Sequence, residues 1–400
     1  MAIANKRCNP QQGTVQPQNG RHVHTLRRIL ALLLMLTFII PQAGCYSSTE
    51  NYQGISKTGF YLDTVCTITI YGVDPDSDLG KELAAAGGQD ARQKLIFQLI
   101  TDAFLECDRY EKLLSKTISS SEIARINSAG GQTVTVSDET AEVIGKGLEY
   151  GTLSGGVFDI TIGKASDLWN FHDFQTEAAA DSETGNGEGT DPLPDADSLA
   201  EAVRHVDYRK VHVDGNDVTL DDPEMEIDLG GIAKGYIADK LTRWLKERGV
   251  ASAVIDLGGN IVALGGKSAG LLEPPKQDFT IGIKDPQSAD GQLLATFACS
   301  DKTVVTSGTY ERYVVKDGKK YHHILDPKTG WPADTDVDSV TIITEKGHAV
   351  DADGLSTTCL ALGVEKGLAM METVDGAEAV FVDMDGNVSA TSGAPELTTK

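Results

Sequence analysis

Positive charge is what this sequence has least of. Across 400 residues, 35 Lys and Arg stand against 59 Asp and Glu, a formal net charge of −24. So acidic a chain would repel a polyphosphate, which argues against nucleic acid as a partner. Paired cysteines are also missing. Apart from Cys8 and Cys45, the cysteines are Cys66, Cys107, Cys299 and Cys359, scattered and without a Cys-x-x-Cys pair. That spacing excludes a disulfide framework, argues against a zinc site and leaves the four as small buried hydrophobes. The N-terminal apolar run, residues 29–40, has twelve residues, short of the ~20 needed by a transmembrane helix. No G-x-G-x-x-G follows a strand, so the dinucleotide fingerprint is missing.

What is present starts with export. Residues 1–28 carry Lys6, Arg7, Arg21, Arg27 and Arg28 ahead of the apolar run, the order of a signal sequence. Ala43-Gly44-Cys45 then resembles a bacterial lipobox, with Gln42 departing from the aliphatic residue usual there. We therefore expect a lipoprotein-type signal over 1–44, Cys45 as the lipidated residue and a polar tether over 45–57. The expected location is extracytoplasmic, anchored to the bacterial membrane; a plain signal peptide and an uncleaved anchor are the alternatives. An apolar fraction of 40% is enough for a sizeable core over 58–395. A disordered acidic insertion, rich in Ala, Gly and Pro, interrupts it at about 173–198.

The organising stretch is 225–266. Ile-Asp-Leu-Gly-Gly occurs there twice, at 227–231 and 255–259. Ile232, Tyr236, Ile237, Leu241, Trp244 and Leu245 recur at helical spacing between the copies, and Gly249 marks a stop. The expected unit is strand, Gly-Gly turn, helix, strand, Gly-Gly turn. Paired glycines admit a close backbone approach, and a helix N-terminus attracts phosphate. Asp228 and Lys234 flank the first turn.

Elsewhere, 59–72 alternates as a strand and 90–114 is an amphipathic helix. Ser119 and Glu122 form a capping-box pattern for a short helix ending at Asn127. A strand over 133–136 and a helix over 138–154 follow. Residues 155–169 read as an irregular loop, and 211–220 as a hairpin. Strands are expected near 279–284, 293–300 and 340–344, a hairpin over 304–325, a helix from Asp353, and a final hairpin at Asp385-Gly386. Strands outnumber helices, so the fold class is α+β, with mixed, largely antiparallel sheets and flanking helices.

Three further stretches carry chemistry. Phe158 and Asp159 sit in a glycine-framed loop. His322 and His323 precede an Asp326-Pro327 turn, and a histidine with Asp326 would make an acid/base pair. Neighbouring strand residues face opposite ways, so one histidine faces a cleft and which one stays open. Asp353 and Thr357 lie one helical turn apart, a carboxylate and a hydroxyl suited to Mg²⁺.

Taken together, FYLDT, SSSEIARIN, GGVFDITIGKASDLWNF, DLGGIAKGYIAD, DLGGNIVALGG, TSGTYERY, YHHILDPKTGWP and DADGLST resemble, in order, the motifs of the ApbE-like flavin transferases. The resemblance covers about 59–391. It implies FAD in a cleft between lobes, with Asp228, Lys234, Leu62, Val157, Phe158, Asp159 and Ile324 contacting it. It also implies Mg²⁺ on the Gly231 carbonyl, Asp353 and Thr357, and His323 as the base. Leu62 stands where the family often has methionine, and Thr117 where many members have an aromatic near the flavin. The implied reaction moves FMN from FAD to a Thr or Ser of an exported or membrane flavoprotein, such as a subunit of a redox-driven ion pump, releasing AMP. An Mg-dependent FAD pyrophosphatase and a non-catalytic FAD-binding lipoprotein are the rival readings.

Overall fold

The computed structural model describes residues 52–169, 171, 193–288 and 291–399. The expected signal, Cys45, the first part of the tether and most of the acidic insertion lie outside these residues.

Eight strands pair in chain order into one sheet: β1 (Ile55–Tyr61), β2 (Thr64–Val73), β3 (Val250–Leu257), β4 (Asn260–Leu264), β5 (Lys302–Gly308), β6 (Val337–Glu345), β7 (Ala377–Asp383) and β8 (Val388–Ala390). Every neighbouring pair is antiparallel. Successive connections therefore leave at alternate ends, and the β1–β2, β3–β4 and β5–β6 connections share one end. That end carries the site.

Three helices cover one face: α1 (Gln89–Leu114), α2 (Ala233–Glu247) and α3 (Ala349–Leu362). The amphipathic face expected of α1, Leu95, Leu99, Ala103, Cys107, Tyr110 and Leu114, is buried except for half-buried Leu95. It packs with Ile68 and Ile70 of β2 and Ile255 of β3 in the main core. The opposite face packs Ala263, Val304, Ile343 and Val380 against Phe279, Ile281 and Phe297 of a small sheet built on Phe279–Lys284 and Leu293–Cys299. Central strand β6 is covered on both faces, so Val337–Thr344 are buried without alternation, Asp338, Ser339, Thr341 and Thr344 included. The four described cysteines are free and buried, as their scatter predicts.

Several expectations need correction. Residues 59–72 are not one strand but a hairpin, whose Leu62 and Asp63 turn residues both adopt φ of 55°. The strand begins at Ile55, inside the stretch expected as tether. Thr398–Thr399 pair with Ala295 and Thr296, so order extends past 395. Ser121, not Ser119, caps the helix Glu122–Asn127, and Glu122 bonds Ser137 in place of a capping box. Helix Gly163–Trp169 replaces the second half of the expected 155–169 loop. Helix Ala196–Ala202 opens before the acidic insertion was expected to end. The 304–325 hairpin resolves into β5, which joins the main sheet, and a separate ribbon of Tyr313–Lys316 with Lys319–His322. Among the described residues, no helix is long and apolar enough to cross a membrane.

Candidate functional site

The two copies of Ile-Asp-Leu-Gly-Gly fold differently. The second is the expected β3–β4 hairpin turn, with Gly258 at φ 62° and Gly259 at φ 89°. The first is no strand. The Asn127 carboxamide takes both backbone groups of Ile227, accepting from its N–H at 2.8 Å and donating to its carbonyl at 2.9 Å. Asp228 N–H then bonds Ile160 at 2.7 Å. A side chain thus stands in for a strand partner, and the freed Gly230-Gly231 segment feeds α2.

A cavity of about 880 Å³ opens at this end of the sheet. Its wall gathers Leu62, Val157, Phe158, Asp159, Asp228, Gly231, Lys234, His323, Ile324, Asp353 and Thr357, and also Thr117. Asp326 is not brought there. Its carboxylate accepts from the Lys328 N–H at 3.0 Å and the Thr329 hydroxyl at 3.3 Å, closing its own turn. The expected His–Asp pair is therefore not formed, because turn donors take both carboxylate oxygens. His323 Nδ1 instead lies 3.2 Å from the Arg312 carbonyl.

The two histidines separate as strand alternation requires. His323 lines the cavity, whereas His322 is 7% exposed with Nε2 against the Ala333 carbonyl at 3.1 Å. Burial lowers the pKa of both. For His323, with Arg312 and Lys234 adding to the effect, it falls to about 3. His323 is thus a neutral imidazole at ordinary pH. Asp159 serves its own loop: it accepts from Thr161 N–H at 2.8 Å, Thr161 Oγ1 at 2.6 Å and Tyr208 N–H at 2.9 Å.

Asp353 lies in the second turn of α3, not at its N-cap, because the helix begins at Ala349. Only 2% exposed, it accepts from the Gly235 N–H of α2 at 2.9 Å through Oδ2. Oδ1 stands 4.0 Å from Lys234 Nζ. Asp239 of α2 returns the contact, accepting from Ala349 and Val350 N–H of α3 at 2.9 and 3.0 Å. Each helix thus receives the other's carboxylate. Gly235 permits this approach, since a Cβ there would meet the Ala349 carbonyl at 2.1 Å. A Cβ on Gly231 would lie 3.4 Å from Thr357 Oγ1, which puts that hydroxyl beside the turn. A carboxylate, a hydroxyl and a backbone segment are hard-oxygen donors, a fit for Mg²⁺. Among the described residues no three His, Cys, Asp or Glu converge, so a cation here depends on one carboxylate and neutral oxygens.

Sequence reading missed the cation beside Asp228. Lys116 Nζ contacts Asp228 Oδ2 at 3.0 Å, Asp167 Oδ1 at 2.6 Å, Ser166 Oγ at 2.5 Å and the Gly163 carbonyl at 3.0 Å. Burial opposes its charge, yet Asp228 and Asp167 hold its pKa above the ordinary value. Burial likewise opposes the Asp228 carboxylate, but Lys116, the Gly230 N–H and Ser166 keep it below its usual range. Lys116 lies in an unpatterned turn, so no periodicity points to it. Glu311, also on the wall, is raised to about 7 by burial, with Lys234 opposing and Asp353 adding to the rise.

These observations define a class: an α+β enzyme with helices and antiparallel sheets around one oxygen-lined cleft. The profile of the ApbE family matches residues 62–381, and the chain belongs to that family. It is 31% identical over 369 residues to a FAD:protein FMN transferase of Treponema pallidum, covering 90% of this chain and 92% of that one. A Klebsiella pneumoniae protein of the same name is 34% identical over 308 residues, covering 76% and 85%. The solved ApbE protein of Thermotoga maritima matches with a TM-score of 0.67 at 30% identity, over 85% of this chain and 97% of that one. The flavin transferase ApbE from Vibrio cholerae matches with 0.66 at 24% identity, over 84% and 97%, a likeness of fold alone.

Proposed function

We propose that this protein is an Mg²⁺-dependent FAD:protein FMN transferase, acting on a Thr or Ser of an exported or membrane flavoprotein such as a subunit of a redox-driven ion pump. The observation that carries the reading is the convergence of Asp353, Thr357, Gly231, Lys234 and His323 on one cavity, in a chain whose relatives bear that activity in their names. An acceptor hydroxyl attacks the FMN phosphorus, a new P–O bond forms, and the bond to the AMP oxygen breaks. His323, neutral beforehand, takes the hydroxyl proton through its ring. Lys234, half-buried in the first turn of α2, binds the anionic pyrophosphate, aided by the positive end of that helix. Asp228, kept ionised beside Lys116, is placed to accept from a ligand hydroxyl or amino group. Mg²⁺ held by Asp353, Thr357 and the Gly231 carbonyl would neutralise charge on the phosphoryl oxygens.

Location is part of the proposal: Cys45 carries the lipid, and the enzyme works on the outer side of the bacterial membrane. The test is AMP release from FAD with an acceptor present. Asp353→Ala should lower it by about 10²–10³-fold or more, with FAD chemistry in the wild type lost on chelation. Near-normal turnover in that variant contradicts the metal assignment.

A further inference from the structure

Directly after the second copy of the repeated motif comes Asn260, the first residue of β4, on the cavity wall. Its side chain is buried, the residue being 2% exposed. Nδ2 stands 3.4 Å from Asp353 Oδ1, a long contact. Oδ1 is buried and has no hydrogen-bond partner at all. Buried carbonyl oxygens are almost always paired, because losing water without a replacement costs free energy. An apolar side chain of similar size would fill this place without that cost. Protein groups thus satisfy at most one end of this carboxamide, so its orientation is free to follow a ligand.

The neighbour identifies the ligand's chemistry. Asp353 Oδ2 is committed to the Gly235 N–H, and Oδ1 has only the Asn260 amide and, at 4.0 Å, Lys234. A half-turn of the carboxamide exchanges its N and O without moving the chain. That turn would set two oxygens facing each other, which is repulsive unless a cation lies beside them. We propose that Asn260 Oδ1 is a direct ligand of the divalent cation, joining Asp353, Thr357 and the Gly231 carbonyl. The inference rests on the metal reading above and extends it by one named atom.

Charge explains why an amide suits this position. With one carboxylate among its protein ligands, a divalent cation keeps a net positive charge for an incoming pyrophosphate. A second carboxylate at 260 would cancel it. The ligand set is thus tuned to hold a cation that still attracts an anion.

The experiment is an EPR titration of the full chain with Mn²⁺, without nucleotide and then with FAD, on wild type, Asn260→Ala, Asn260→Asp and Asp353→Ala, each checked by thermal melting. Asn260→Ala should weaken Mn²⁺ binding by about tenfold or more. Asn260→Asp, which restores an oxygen, should bind Mn²⁺ at least as tightly as wild type without nucleotide. FAD should then strengthen Mn²⁺ binding less in Asn260→Asp than in wild type. Unchanged Mn²⁺ affinity in a folded Asn260→Ala protein, with binding lost in Asp353→Ala, overturns the inference and leaves the metal reading standing. Equal weakening in both Asn260 variants overturns it in favour of a donor that orients Asp353. No Mn²⁺ uptake by wild type overturns both.

Discussion

His322 and His323 are adjacent in sequence and differ in almost everything else. One is locked against the Ala333 carbonyl, the other borders the cavity. The consequence for stability has a definite sign. Both folded pKa values lie below the unfolded value near 6.5, so the unfolded chain binds more protons in acid. Their contribution is fully present above about pH 6.5 and is lost as pH falls, for His323 down to about 3. His323→Gln should therefore reduce the acid slope of unfolding free energy against pH by up to about one proton, measured by urea melts between pH 7 and 4. An unchanged slope would show that the imidazole is solvated. At neutral pH the same variant should lose about 10²–10⁴-fold in transfer, the usual contribution of a positioned base. Alternation required that only one of the pair face the cleft and left open which one. Asp326 and Lys116 show the limit from both sides. An Asp-Pro turn advertises a carboxylate whose oxygens its own loop consumes. A lysine in a featureless turn becomes the counter-charge of Asp228 through contacts 112 residues apart in sequence (228 − 116).

At the scale of elements, the decisive contact is the crossing of α2 and α3. Helix α2 was legible from apolar spacing, and α3 from Asp353 as its expected N-cap, although α3 starts at Ala349, four residues earlier. That shift matters, because it turns Asp353 from a cap of its own helix into a brace on the other. The brace depends on Gly235, whose backbone touches the Ala349 carbonyl region directly. Gly235→Ala should force the helices apart and destabilise the fold by about 1–3 kcal/mol, read by chemical denaturation. It should also weaken Mn²⁺ binding, since Asp353 and Thr357 move with α3. An alanine variant as stable as wild type would mean that the helices are not in contact at this point. The first Ile-Asp-Leu-Gly-Gly copy misled for a related reason. Its sequence is that of a strand end, but the Asn127 carboxamide occupies the backbone groups a strand would share. Nothing local to 227–231 announces a partner 100 residues away.

Over the whole molecule, an antiparallel sheet in chain order places alternate connections at one end, and the sequence motifs fall on three of these, on the long β2–β3 connection and on the helices beside them. This is why motif order along the chain translated into a single cavity, although the sheet order itself was not readable from alternation alone. The net charge of −24 gives the site a further constraint. A protein this acidic attracts a pyrophosphate only where Lys234, a helix N-terminus and a bound cation reverse the field locally. Anchoring is the remaining proposal at this scale: Cys45→Ser should shift the protein from the washed membrane fraction to the soluble one. Retention in the membrane fraction would point to the uncleaved apolar run at 29–40 as the anchor.

The central claim is transfer to a protein. It is tested most directly by the intact mass of an acceptor flavoprotein domain incubated with this enzyme, FAD and Mg²⁺. A gain of one FMN, absent with Asp353→Ala, is the predicted result. Free FMN and AMP with no gain in mass, or FAD bound and intact, would contradict it.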